Sequence, residues 1–189
     1  MWLKYALTVM LVIGGIITAP LVLPFLPVKT YIQYAEQIGI GPGSYEAKEL
    51  TELHQFYADM HGWEKMVETV AGVYQNLPSE EQSQCNIITG NYGEAGAIDF
   101  FGRKYHLPKA SSGHNSYWLW GPQNDTAQVV IHLGGPSEET LVELYREVQA
   151  ADTFRCEYCM PYENNMVIYL CKEPRFSLKQ IWPRMKHYE

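Results

Sequence analysis

The segment His114-Asn115-Ser116-Tyr117-Trp118-Leu119-Trp120-Gly121-Pro122 has the most unusual local composition in the chain. Aromatic faces pack on the apolar C–H surface of a sugar ring, while amide, imidazole and hydroxyl tips fix its orientation. His114, Asn115, Trp118 and Trp120 are therefore candidate carbohydrate contacts. The competing account places these rings in a core or in the aromatic belt of a membrane interface. Asn91, Tyr92 and Glu94 form a second candidate group, because they cluster at the carboxyl end of an expected strand, Cys85–Thr89. Gly90, Gly93 and Gly96 lie where that strand turns into a helix, a common place to cradle phosphate. Two residues separate the first two glycines, so G-x-G-x-x-G is not matched, and Glu94 would repel a phosphate. Close helix–sheet packing is the better account of the glycines. Glu163, beside Asn164 and Asn165, is a further candidate carboxylate at an expected hairpin tip, most simply a solvated turn.

Other chemistries find little support. Cys156 and Cys159 form a C-x-x-C, but on an expected strand and not at a helix start, where a thioredoxin-like motif would lie. Zinc would need a second ligand pair, which Cys85, Cys171 and the six scattered His do not supply, so no metal and no cofactor is expected. With Asn164-Asn165 as a two-residue turn, Cys156 and Cys171 share a sheet face diagonally. That would permit a disulfide in an oxidising compartment; free buried thiols are the simpler expectation. H-E-x-x-H, G-x-S-x-G and the P-loop are all missing from the sequence, and no acid/base pair stands out by spacing.

The elements that position these residues follow from hydrophobic period. Apolar residues at steps of three and four from Glu46 to Leu77 predict an amphipathic helix that Gly62 breaks in two. Its Met, Trp and Phe stripe is expected to be core. Cys85–Thr89 and Gln128–Leu133 read as strands, and Glu94 to about Tyr105 as a helix ending before Pro108. Ser137 is a good N-cap for a helix through about Val148. Two final strands, roughly Phe154–Met160 and Met166–Cys171, suggest a hairpin turning at Asn164-Asn165. From Lys172 onward the basic tail reads as a solvated surface segment. The expected fold class is α/β, with one N-terminal transmembrane helix followed by a small mixed-sheet domain with helices packed on it.

Tyr5 to Val28 contains no charged side chain, and as a helix would reach roughly 36 Å, enough to cross a hydrocarbon core of about 30 Å. Lys4 and Lys29 bracket it, with Trp2, Tyr5, Tyr31 and Tyr34 as interface anchors. A cleaved secretory signal is the alternative, but the run is long for one. Pro20 also follows the small-residue site Ile17-Thr18-Ala19, where it hinders cleavage. Pro20, Pro24 and Pro27 should kink or end the helix near Ala19 to Leu23. The organisation expected is a membrane helix over 1–30, a linker over 31–45 and an extracytoplasmic α/β domain over 46–189. Across 189 residues, 14 Tyr, 5 Trp and 6 Phe exclude a disordered tail. A net charge of −7 with no basic stripe argues against a nucleic-acid partner and leaves membrane lipid as the expected one.

Four stretches taken together resemble a known family: Phe56-Tyr57-Ala58-Asp59-Met60-His61-Gly62-Trp63, Asn91 to Asp99, Gly113 to Pro122, and Met160-Pro161-Tyr162-Glu163-Asn164. They are similar to the carboxyl-terminal region of bacterial membrane proteins in glycosyltransferase family 39, the dolichyl-phosphate-mannose–protein mannosyltransferase-like group. The resemblance covers nearly the whole chain, as the last membrane helix plus the soluble domain after it. It implies a multi-spanning enzyme of the bacterial cytoplasmic membrane that moves a sugar from a polyprenyl-phosphate donor to a glycan or protein acceptor on the extracytoplasmic face. The essential acidic residue of such enzymes lies in a first external loop with no counterpart here, so no catalytic residue is carried over. The implied role is acceptor binding or active-site cover, inactive alone; the alternative is a free-standing membrane-anchored sugar- or peptide-binding module.

Overall fold

A computed structural model of the chain describes residues 2–43 and 52–188. It divides into two compact units, Met1–His61 with Tyr158–Pro161, and Gly62–Glu157 with Tyr162–Glu189.

In the first unit, α1 (Trp2–Val22) carries exposed apolar side chains around nearly its whole circumference and buries only Leu21. Among the described residues it is the one helix long and apolar enough to cross a membrane. Pro20 is accommodated in the last turn, and the helix stops two residues later. The span read as a linker holds a second helix, α2 (Val28–Gln37), with Pro27 at its N-cap. Its amphipathic period buries Tyr31 and Ala35, and the Tyr34 hydroxyl donates to the Ile17 carbonyl of α1 at 2.7 Å. Tyr31 stacks on Tyr57 with ring centroids 4.2 Å apart. Leu21, Tyr31, Ala35, Leu53, Tyr57, Ala58 and Met160 form this unit's core. Of the long helix expected from Glu46, residues 46–51 lie outside the described residues. The remainder of its first half holds one short turn, α3 (Gln55–Ala58), and then Gly62 at φ +87, which ends that segment as expected.

In the second unit a five-stranded mixed sheet has the order β2-β1-β3-β5-β4. The strands are β1 (Cys85–Thr89), β2 (Ala110–Ser112), β3 (Val129–Leu133), β4 (Tyr145–Phe154) and β5 (Met166–Pro174). β1, β2 and β3 are parallel, and β5 is antiparallel to both β3 and β4. β1 and β3 are buried at each position, as befits central strands covered on both faces. α4 (Trp63–Gln75) packs on β3 and β4, and α6 (Tyr92–Phe101) on β1 and β2. Between them the chain runs through the short α5 (Ser79–Ser83). Ile88, Val130 and Cys171 meet Leu141 of α8 (Glu138–Leu144) and Leu178 and Trp182 of α9 (Leu178–Met185). The structure therefore matches the expected class, α/β with an N-terminal apolar helix.

Four expectations are corrected. The helix from Ser137 ends at Leu144, and residues 145–148 join β4, because pairing with β5 (Val148↔Cys171) supplies backbone partners that a solvated helical turn lacks. Phe154 pairs with Met166, so the hairpin closes through an eleven-residue connection, 155–165, and not at a two-residue Asn164-Asn165 turn. Cys171 thus opposes Val148 and Val130. The tail is no solvated segment: Ser177 and Gln180 form a capping box, and α9 delivers Trp182 to the core.

Candidate functional site

The route of the chain through the sheet marks one place for a ligand. The connection leaving β1 runs through α6 to β2 on one side, whereas that leaving β3 runs through α8 toward the other edge. Between their carboxyl ends lies a topological switch point, the usual crevice for ligands in open α/β sheets. There Gly90 N–H donates to Leu133 O at 2.9 Å. A Cβ on Gly90 would collide with the Gly135 backbone, so this close approach requires glycine.

The layer nearest the strands is polar and hydrogen-bonded, with Glu94 and His114 buried and Asn91 and His187 half-buried. Asn91 caps α6, its side chain accepting the Glu94 N–H at 2.9 Å. Glu94 returns the favour by accepting N–H groups from Gly90 at 2.8 Å and Asn91 at 3.1 Å. Only 3% of Glu94 is exposed, and a Cβ on Gly134 would come within 2.6 Å of its carboxylate. Burial raises its pKa to about 7, against the pull of those N–H bonds and with the help of the nearby Glu163 charge. His114 Nδ1 accepts the Tyr92 N–H at 3.3 Å, and its ring stacks on His187 with centroids 4.8 Å apart. His187 in turn places Nε2 2.9 Å from Gly90 O and Nδ1 2.7 Å from Met185 O.

This polar layer seats the end of the described chain. His187 N–H donates to Gly113 O at 3.2 Å, and Asn115 N–H donates to His187 O at 3.1 Å. A Cβ on Gly113 would strike the Met185 carbonyl, so glycine there is what admits the segment. Tyr188 is thereby placed against α7 (Ser116–Trp120), the short helix formed by the segment read as an aromatic loop.

Above this layer opens a cleft of about 510 Å³ lined by Tyr92, Asn115, Ser116, Tyr117, Leu119, Trp120 and Tyr188. Its wall is unusually apolar for free surface: Trp120 is 63% exposed, Tyr92 55% and Leu119 73%. Tyr117 packs edge-on against Trp120 at 4.6 Å. Its hydroxyl donates to Asp99 at 3.2 Å, and burial followed by the Asp99 charge pushes its pKa up to about 12. Asn115 takes φ +52, an uncommon conformation that asparagine tolerates better than most residues and that concentrates at functional sites. The lining offers rings, hydroxyls and an amide but no carboxylate, imidazole or thiol. Such a surface can bind and orient a ligand, and its only proton-donating side chains besides the Asn115 amide, the Ser116 hydroxyl and the Trp120 indole are the phenols of Tyr92, Tyr117 and Tyr188.

Of the residues singled out from sequence, the structure brings Tyr92, Asn115 and Trp120 together in the cleft wall. Asn91, Glu94 and His114 lie beneath it in the polar layer. Trp118 points the other way: its indole N–H donates to Trp182 O, and the Trp182 indole donates to Trp118 O, each at 3.1 Å. Glu163, expected at a solvated tip, is buried in a 3-10 turn, Pro161–Glu163. Tyr188 was missed, because only long-range packing brings it here; Ser116, Tyr117 and Leu119 lay inside the quoted segment without being picked out. The C-x-x-C lies in the 155–165 connection, where Cys156 and Cys159 are disulfide-bonded, while Cys85 and Cys171 are free and buried. No group of three or more metal-ligating side chains occurs among the described residues. No family model, curated protein or solved structure matches the chain.

Proposed function

We propose that this chain is a membrane-anchored carbohydrate-binding domain that holds an acceptor glycan in the cleft of Tyr92, Asn115, Tyr117, Trp120 and Tyr188. In the setting implied by its resemblance to family 39 glycosyltransferases, it serves an enzyme of the bacterial cytoplasmic membrane that uses a polyprenyl-phosphate sugar. The observation that carries this proposal is the exposed aromatic wall beside an amide and hydroxyls, seated at the switch point of the sheet. Sugar rings bring apolar C–H faces to the rings and hydroxyls to Asn115 and Ser116. The uncovered apolar α1 supports anchoring, and oxidised Cys156 and Cys159 support an extracytoplasmic location, since disulfides persist in oxidising compartments. Transfer chemistry belongs to groups other than the cleft lining.

The test is titration of the full chain, in a detergent without a sugar headgroup, with neutral oligosaccharides. Tryptophan fluorescence and calorimetry report binding. Saturable binding is expected, weakened about tenfold in Trp120→Ala, as for loss of an aromatic anchor. Equal affinity of wild type and variant, or no binding by either, overturns the proposal.

A further inference from the structure

We infer that the cleft selects carbohydrate bearing an acidic group, a carboxylate or a phosphate ester, and that Lys186 recognises it. This deepens the carbohydrate proposal and rests on it. The Lys186 ammonium sits over two rings, 4.5 Å from the centroid of Trp118 and 5.4 Å from that of Tyr188, and Tyr188 lines the cleft. Both rings are themselves held: Trp118 by its paired indole bonds with Trp182, Tyr188 by the His187 backbone bonds to Gly113 and Asn115. Two aromatic faces thus attract the exposed cation without neutralising it. Asp99, which the lining Tyr117 hydroxyl contacts at 3.2 Å, is also engaged by the Ala110 N–H at 2.9 Å. None of the seven lining residues is charged. In a chain of net charge −7, an exposed ammonium 5.4 Å from the ring of cleft-lining Tyr188 complements an anion on the ligand.

The test compares maltohexaose, which is neutral, with hexagalacturonate, which carries a carboxylate on each ring. Both are titrated into the full chain in the same detergent at about 0.1 M and about 1 M salt, across which the screening length falls from about 10 Å to about 3 Å. Wild type should bind the acidic ligand about fivefold tighter at low salt, the scale of one exposed ion pair. Lys186→Met and high salt should each erase that preference without changing the neutral affinity, and Lys186→Arg should keep it. Equal binding of the two ligands, or a preference that survives in Lys186→Met, overturns acid selection while leaving the carbohydrate proposal intact. Failure of both ligands to bind overturns both. Competition by glucuronate and by glucose 6-phosphate then tells a carboxylate from a phosphate ester. If neither competes better than glucose, acid selection is overturned.

Discussion

Trp118 and Trp120 stand two residues apart on one short helix, and the regions they belong to follow opposite rules. Trp118 joins a floor in which polar groups are buried and answered: paired indole bonds, a capping box, stacked imidazoles. Trp120 joins a wall in which large apolar groups are left open to solvent. Buried polar groups with partners usually hold a fold, whereas contiguous exposed apolar surface usually waits for something to cover it. The residues with the richest chemistry, Glu94, His114 and His187, therefore position the cleft, and the plainer rings above them form its open wall.

Substitutions can break this contrast. Trp182→Ala should be the most damaging, costing about 4 kcal/mol in thermal or urea unfolding, since it removes a buried indole and the bond that indole donates to the Trp118 carbonyl. Gly113→Ala should cost about 3 kcal/mol, because the new methyl meets the Met185 carbonyl; it should also weaken glycan binding by displacing Tyr188. Glu94 sharpens the contrast through pH. Its folded pKa of about 7 lies above the ordinary value of 4.5, so the folded state holds the proton more tightly. Its contribution is fully present below about pH 4.5 and is lost as pH rises through about 7, a change of order 3 kcal/mol. His132 works in the opposite sense. Burial lowers its pKa from 6.5 to about 3, so stability falls as pH drops through that window. Comparing Glu94→Gln with wild type isolates the carboxylate: glutamine keeps the capping geometry, so the variant should be the more stable near pH 8, with the gap closing toward pH 4. The smallest effect is expected for Trp120→Ala, within about 0.5 kcal/mol of wild-type stability despite its lost binding. A large stability loss there would place Trp120 in the floor and end the contrast.

How much of this was legible in the sequence depended on how locally each feature is determined. The charge-free run that begins at Tyr5 in α1 announces itself by its length, and the central strands β1 and β3 by being mostly apolar, as cover on both faces demands. The edge strands do not. β2 has three residues, and β4 exposes most of its length, so each exists through pairing with a neighbour and leaves little periodic trace. The same gap produced the wrong hairpin register, and with it the wrong partner for Cys171. At the site, the aromatic segment was visible by composition, but which of its indoles faced outward was not, since Trp182 in a distant helix decides that. Glu163 looked solvated only because its neighbours in sequence are turn formers. Tyr188 left a single faint clue in Gly113, whose missing side chain is what lets the chain pass.

The clasp between Tyr34 and Ile17 has a mechanical corollary. A chain that doubles back at the end of a long helix gains no reach from the second helix, so α2 does not prolong α1 as a stalk. Val22, Leu23 and Phe25 are bare at the bend, so the turn between the two helices presents an apolar tip where a soluble connection would be polar.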